Sequence, residues 1–161
     1  MTKIKLEIII DAPIERVFDL ARSIDLHKLS TTGTNEEAIA GKTSGLIELG
    51  ETVTWRAKHF GIYQNLTVEV IEFEKPFMFG DVMLKGAFKQ MKLIHRFLAD
   101  GSGTKMVDEF EFVSPFGFLG KLADSIFLKR YMKKFLINKN KELKYVAESQ
   151  EWKKIINETK G

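Results

Sequence analysis

The sequence predicts an α+β domain: a strongly curved antiparallel sheet wrapped around one long C-terminal helix, with two short helices after the first strand. Three observations point there. The last third of the chain carries apolar residues at helical spacing. The middle is a series of strand-like segments divided by glycine, proline and Asp-Gly turns. The first thirty or so residues read as one strand followed by two helical segments with start signals.

Taken in order, Lys3 to Ile10 alternates and then runs apolar, as a strand entering a core does. Asp11-Ala12-Pro13 opens a helix, with Glu15 in its first turn where the helix dipole favours an acid. Ile14, Val17, Phe18 and Ala21 form its apolar stripe. Ser23-Ile24-Asp25 caps a second short helix that runs to about Leu29, and Ser30 to Asn35 is a polar loop. Gly41, Gly45 and Gly50 punctuate a stretch of short strands joined by turns.

A hairpin series follows. Glu51 to Phe60 is a strand, Gly61 turns it, and Ile62 to Phe73 returns. Lys75-Pro76 makes the next turn, Phe77 to about Leu84 is a strand, and Gly86 breaks it. Phe88 to Ala99 and Thr104 to Val113 pair across the turn Asp100-Gly101-Ser102-Gly103. Ser114-Pro115 is a helix-start signal. From Phe116 to about Val146, apolar residues recur at Leu119, Leu122, Ile126, Phe127, Tyr131, Phe135, Leu143 and Val146. Such a helix of about 30 residues spans about 45 Å, enough to cross a sheet. The domain is expected over residues 1–148, with 149–161 a tail in which Trp152, Ile155 and Ile156 mark a short helix or a continuation.

Composition bounds the function. The chain has 161 residues, enough for one domain with a real core. Thirteen Phe and six Met supply apolar area and adaptable shape, which suits an apolar cavity and equally suits a filled core. A net charge of +3 is too mild to argue for nucleic acid, and no aromatic platform is interleaved with the cations. Without cysteine there is no disulfide or thiolate nucleophile, which fits a reducing cytoplasm, the expected location. The charged N-terminal segment is no signal peptide, and no apolar run of about 18 residues is present to span a membrane.

Strand alternation sorts side chains by face. Val53, Trp55, Ala57 and His59 share one face; Met91, Leu93, His95 and Phe97 another; Met106, Asp108, Phe110 and Phe112 a third; Phe77, Phe79, Asp81 and Met83 a fourth. Each apolar, inward row thus carries one polar residue: His59, His95, Asp108 or Asp81. A buried carboxylate is costly unless bonded, so these groups either satisfy one another or meet a polar group on a ligand.

Three segments carry a family resemblance: Asp11-Ala12-Pro13-Ile14-Glu15-Arg16-Val17-Phe18-Asp19, Val53-Thr54-Trp55-Arg56-Ala57-Lys58-His59-Phe60-Gly61, and Asp108-Glu109-Phe110-Glu111-Phe112 running into Pro115-Phe116-Gly117-Phe118-Leu119-Gly120. In order and spacing, over about residues 1–147, they resemble the SRPBCC superfamily, which has the helix-grip fold. That superfamily includes START lipid-transfer domains, pollen-allergen-type binders, polyketide aromatase/cyclases and coenzyme Q-binding proteins. The segments are most similar to an uncharacterised bacterial subgroup of single-domain members.

The resemblance implies non-catalytic binding of a hydrophobic or amphipathic small molecule, such as a lipid, isoprenoid or polyketide-like compound. We expect a cavity on the order of a few hundred Å³. Its expected ligand-binding residues are Trp55, His59, Asp81, Met91, His95, Phe97, Asp108, Phe110 and Ile126. Two alternatives stay open: a cyclase- or hydrolase-type enzyme using His59 or His95 with Asp108, and a protein-interaction module with a filled core. No cofactor and no metal are expected, because the histidines and aspartates sit singly on separate strands, and no nucleophile elbow is present. The cations Lys121, Lys129, Arg130, Lys133, Lys134, Lys139, Lys141, Lys144, Lys153 and Lys154 read as a solvated face. With Phe116, Phe118 and Leu119 they also allow a weak peripheral membrane contact.

Overall fold

Seven strands pair antiparallel into one sheet, in the computed structural model that describes residues 1–114 and 124–160. The strands are β1 (Thr2–Ile10), β2 (Glu37–Gly41), β3 (Thr52–His59), β4 (Ile62–Glu74), β5 (Met78–Lys85), β6 (Gln90–Asp100) and β7 (Gly103–Val113). Their order across the sheet is β1-β7-β6-β5-β4-β3-β2, so the chain closes β1 against β7 and then meanders back. The helices are α1 (Ile14–Ala21), α2 (Ile24–Ser30), α3 (Lys129–Glu148) and α4 (Trp152–Lys160). This is the helix-grip arrangement: a curved antiparallel sheet around a C-terminal helix, with two short helices after the first strand.

Local chemistry explains the pieces. The Ser23 hydroxyl accepts the Leu26 N–H at 3.2 Å and starts α2. Phe60 and Gly61 both take positive φ, 53° and 75°, which is what a tight two-residue hairpin requires. Register shifts between Val70 and Glu72, and between Thr67 and Val68, bend β4 against β5 and add to the curvature. Phe77 falls in the turn before β5 and is exposed, outside the inward row to which strict alternation assigns it.

The long helix differs from expectation. Its α-helical part has 20 residues, about 30 Å, and a π-helical turn over Asp124–Leu128 leads into it. The expected start at Pro115, with Phe116 to Leu122, lies outside the described residues. Counting from the buried Leu136 and Leu143 in steps of 3.6 puts Met132, Lys139 and Asn140 on the inward stripe, while Ile126 and Phe127 belong to the π-helical turn, where that step does not hold. Those two are 60% and 57% exposed, so Ile126 does not line the interior as expected. No described helix is long and apolar enough to cross a membrane.

The core forms two clusters. At one end Phe18 meets Phe73, Phe79 and Phe97 edge-on at 5.4–5.6 Å, and Ile155 and Ile156 of α4 pack into the same cluster. The other cluster gathers Val53, Trp55, Met91, Leu93, Phe110 and Leu136 around the middle of the sheet.

Candidate functional site

Between the second cluster and α3 the packing opens into a cavity of about 300 Å³. Trp55, Ala57 and His59 of β3, Met91 of β6, Phe88, and Leu128, Tyr131, Met132 and Phe135 line it. An inner chamber of about 110 Å³ lies deeper, under α2, and shares the walls Glu36, Trp55, Leu66, Met91, Met132 and Phe135. His27, Asp81, His95, Phe110 and Lys139 complete the chamber. The site is therefore an apolar outer cavity with a polar inner end.

The polar end is organised by three hydrogen-bonded groups. Asp108, 1% exposed, accepts from His95 Nδ1 at 2.6 Å on one oxygen and from Asn140 Nδ2 at 2.8 Å on the other. Burial alone would raise this carboxyl. The charge and hydrogen bond of His95, with the Asn140 bond and the Lys139 charge, hold it below the ordinary value instead. An ionised carboxylate only accepts, so His95 Nδ1 carries the proton and Nε2 is the nitrogen left for the chamber.

His27 stacks on Trp55 with 4.0 Å between centroids, and its Nε2 bonds Glu36 Oε1 at 2.8 Å. Burial first, and then the Lys139 charge, lower the His27 pKa against the opposing pull of Glu36. Burial would raise Glu36, but the charge and hydrogen bond of His27 and the charge of Lys139 bring its carboxyl below the usual range. At the cavity mouth His59 Nδ1 and the Tyr131 hydroxyl share a hydrogen bond of 2.6 Å, and burial lowers the His59 pKa.

Asp81 and Lys139 are the remaining charged groups. Burial raises the Asp81 carboxyl, while His95 and Lys139 pull it down. Burial lowers the Lys139 amine against the opposing charges of Glu36, Asp108 and Asp81. Among the described residues no three His, Cys, Asp or Glu side chains are grouped to hold a metal ion.

Of the nine residues expected at the site, Trp55, Met91, His95, Asp81 and Phe110 line the inner chamber, and His59 lines the outer cavity. Asp108 sits behind His95 rather than on the wall. Phe97 packs in the filled end against Phe18 and Phe79 instead of at the cavity. Ile126 is on the outside. Lys139 reads with the outer cations by composition, yet its place three residues after Leu136 and four before Leu143 puts it on the inward stripe. Asn140 is readable by the same spacing. His27 and Glu36 carry no such signal, because a short helix and a loop deliver them.

No protein-family model matches the chain, and no curated protein matches its sequence. Solved structures do match its fold. The protein TTHA0849 of Thermus thermophilus superposes with a TM-score of 0.73 at 20% identity, over 89% of this chain and 95% of the other. The Zhui aromatase/cyclase of a Streptomyces species gives 0.73 at 13% identity, over 91% and 93%. A START superfamily protein of Mycobacterium smegmatis gives 0.69 at 10% identity, over 91% and 97%. At these identities the likeness is one of fold: the chain has the helix-grip fold.

Proposed function

We propose that this helix-grip chain binds a hydrophobic or amphipathic small molecule, a lipid, isoprenoid or polyketide-like compound, without changing it. The observation that carries the reading is the cavity of about 300 Å³, walled by Trp55, Phe88, Met91, Met132 and Phe135 in a chain with ample apolar residues to fill it. Its volume is at the low end of ligand sites, and aromatic and Met walls suit flat or flexible apolar bodies. Residues 1–148 carry the binding function in this reading, and the protein works in the cytoplasm. The exposed cations Lys129, Arg130, Lys133, Lys134 and Lys141 would give at most a weak, salt-screened approach to an anionic membrane during loading.

Titration with 1-anilinonaphthalene-8-sulfonate tests the binding reading. Its fluorescence should rise saturably with the wild-type protein, and the affinity should fall with Met132→Trp, whose larger side chain narrows the cavity. An equal rise with both proteins contradicts binding in this cavity.

One observation favours a second reading. The His95–Asp108 pair, with Nε2 turned to the chamber, is the arrangement a general base requires in a cyclase- or hydrolase-type reaction. His59 bonds a tyrosine hydroxyl rather than a carboxylate, so the pair at His95 is the one that carries this alternative. Conversion of a co-purified compound by wild type and not by His95→Ala would establish it.

A further inference from the structure

The inner chamber contains an acceptor and a donor that the protein leaves unused. Glu36, with a side chain only 7% exposed, gives Oε1 to His27 at 2.8 Å, while its Oε2 is buried and has no hydrogen-bond partner among the described residues. Lys139, partly buried, lines the same chamber and makes no hydrogen bond or ion pair with any described residue. Of the other polar walls, His27 is held by Glu36 and Trp55, and His95 by Asp108 through Nδ1, while the Asp81 carboxyl and His95 Nε2 also face the chamber. Buried polar groups in native proteins are nearly always bonded, and an unbonded one calls for a partner from outside the chain.

We infer that this chamber is the subsite for the hydroxyl end of an amphipathic ligand, an alcohol or a phenol, which donates to Glu36 Oε2 and accepts from Lys139 Nζ. The inference rests on the binding reading above and names the ligand's chemistry. A hydroxyl is the small neutral group that both donates and accepts. A carboxylate or phosphate end would add an anion beside Glu36, with Asp81 on the wall and Asp108 close behind, and with Arg22 already bonded to Asp19 and the Ile47 carbonyl only Lys139 remains to balance them. The chamber, at about 110 Å³ beside an outer cavity of about 300 Å³, takes an end group while the apolar body lies outside it against Trp55, Met91 and Phe135.

The test titrates 2-naphthol, 2-methoxynaphthalene and 2-methylnaphthalene into the full chain and reads displacement of 1-anilinonaphthalene-8-sulfonate. The wild type should prefer naphthol over methylnaphthalene by about tenfold or more, with the methoxy compound, which only accepts, between them. Lys139→Met keeps the volume and removes the donor. It should bring the methoxy compound level with methylnaphthalene. If that variant does not fold, the wild type labelled at lysine Cε decides: the Lys139 carbon signal should move with naphthol and stay with methylnaphthalene. Equal affinity of the wild type for all three compounds overturns the subsite, leaving a chamber that holds water only and a cavity that still binds. A naphthol preference unchanged in Lys139→Met overturns the role of Lys139. Absence of binding by all three compounds and by the dye overturns the binding reading and the subsite with it.

Discussion

The two ends of the grip use the same residue types to opposite effect. At the filled end, Phe18 sits among three other phenylalanines, and α4 closes the cluster with Ile155 and Ile156. At the hollow end, Trp55, Phe88 and Phe135 stand around a cavity. The difference lies in what covers the sheet. Helices α1 and α4 press on the filled end, while among the described residues α2, the first turns of α3 and the β3–β4 hairpin border the hollow end. Arg22 marks the border: it bonds Asp19 at 3.0 Å and the Ile47 carbonyl at 3.2 Å, and its guanidinium lies 5.5 Å from the centre of the Phe18 ring. Aromatic content therefore does not reveal whether a core is filled; what the rings meet does, each other at the Phe18 end and the space under α3 at the Trp55 end.

Truncating one aromatic at each end should give the largest difference between them. Phe18→Ala should cost about 3–5 kcal/mol, because the removed ring is wholly buried and its neighbours are fixed. Phe88→Ala, at a cavity wall already partly open, should cost about 1 kcal/mol. Urea unfolding of both variants measures the gap, and equal costs would mean that the hollow end is packed as tightly as the filled one.

A second, smaller effect concerns the buried polar bridge from sheet to helix. Asn140→Leu removes one of the two bonds to Asp108 and leaves an oxygen of a buried carboxylate unpaired, at a cost of about 1–3 kcal/mol. Chemical denaturation reads it, and a change within about 0.5 kcal/mol would show that the bond is dispensable.

The pH dependence is gentler. The pKa values of His27 and His59 are lowered from the ordinary 6.5 in the folded chain, so the unfolded chain binds more protons between the folded values and 6.5. Stability should be fully present above pH 6.5 and decline as pH falls below it. A second decline should follow as pH falls through the lowered values of Glu36 and Asp108, which are held ionised by folding. Melting temperature across this range checks both signs, and His27→Gln should flatten the first decline.

The smallest effect is expected at the rim. Phe60 holds a positive φ that favours Asn or Gly, and it leans on Tyr131 at 4.6 Å and Phe127 at 5.5 Å. Phe60→Asn relieves the backbone and loses the ring contacts, so the net change should stay within about 1 kcal/mol. Dye affinity should change more than melting temperature, since Phe60 lines the mouth.

The sequence carried most of the fold because alternation and turn chemistry are local: the hairpin series from Glu51 to Val113 falls within a few residues of the observed strands. It carried the inward rows of β3, β6 and β7 for the same reason, and with them Trp55, Met91, His95, Asp108 and Phe110. It misplaced Phe97 because alternation gives the face of a strand and not the position along it, and Phe97 lies at the filled end. Ile126 failed because it belongs to the π-helical turn, where the helical step of 3.6 does not hold. Glu36 and His27 were beyond reach, since only the folding of α2 against β2 and β3 brings a loop carboxylate to a helix imidazole.

Native mass spectrometry of the protein, purified gently and without detergent, tests whether the hollow end is a binding site. A species heavier than the bare chain by a single small molecule should be seen, a difference that disappears on denaturation and is less abundant in Met132→Trp. A bare-chain mass that stays bare after incubation with a lipid and phenol mixture would contradict a binding site there.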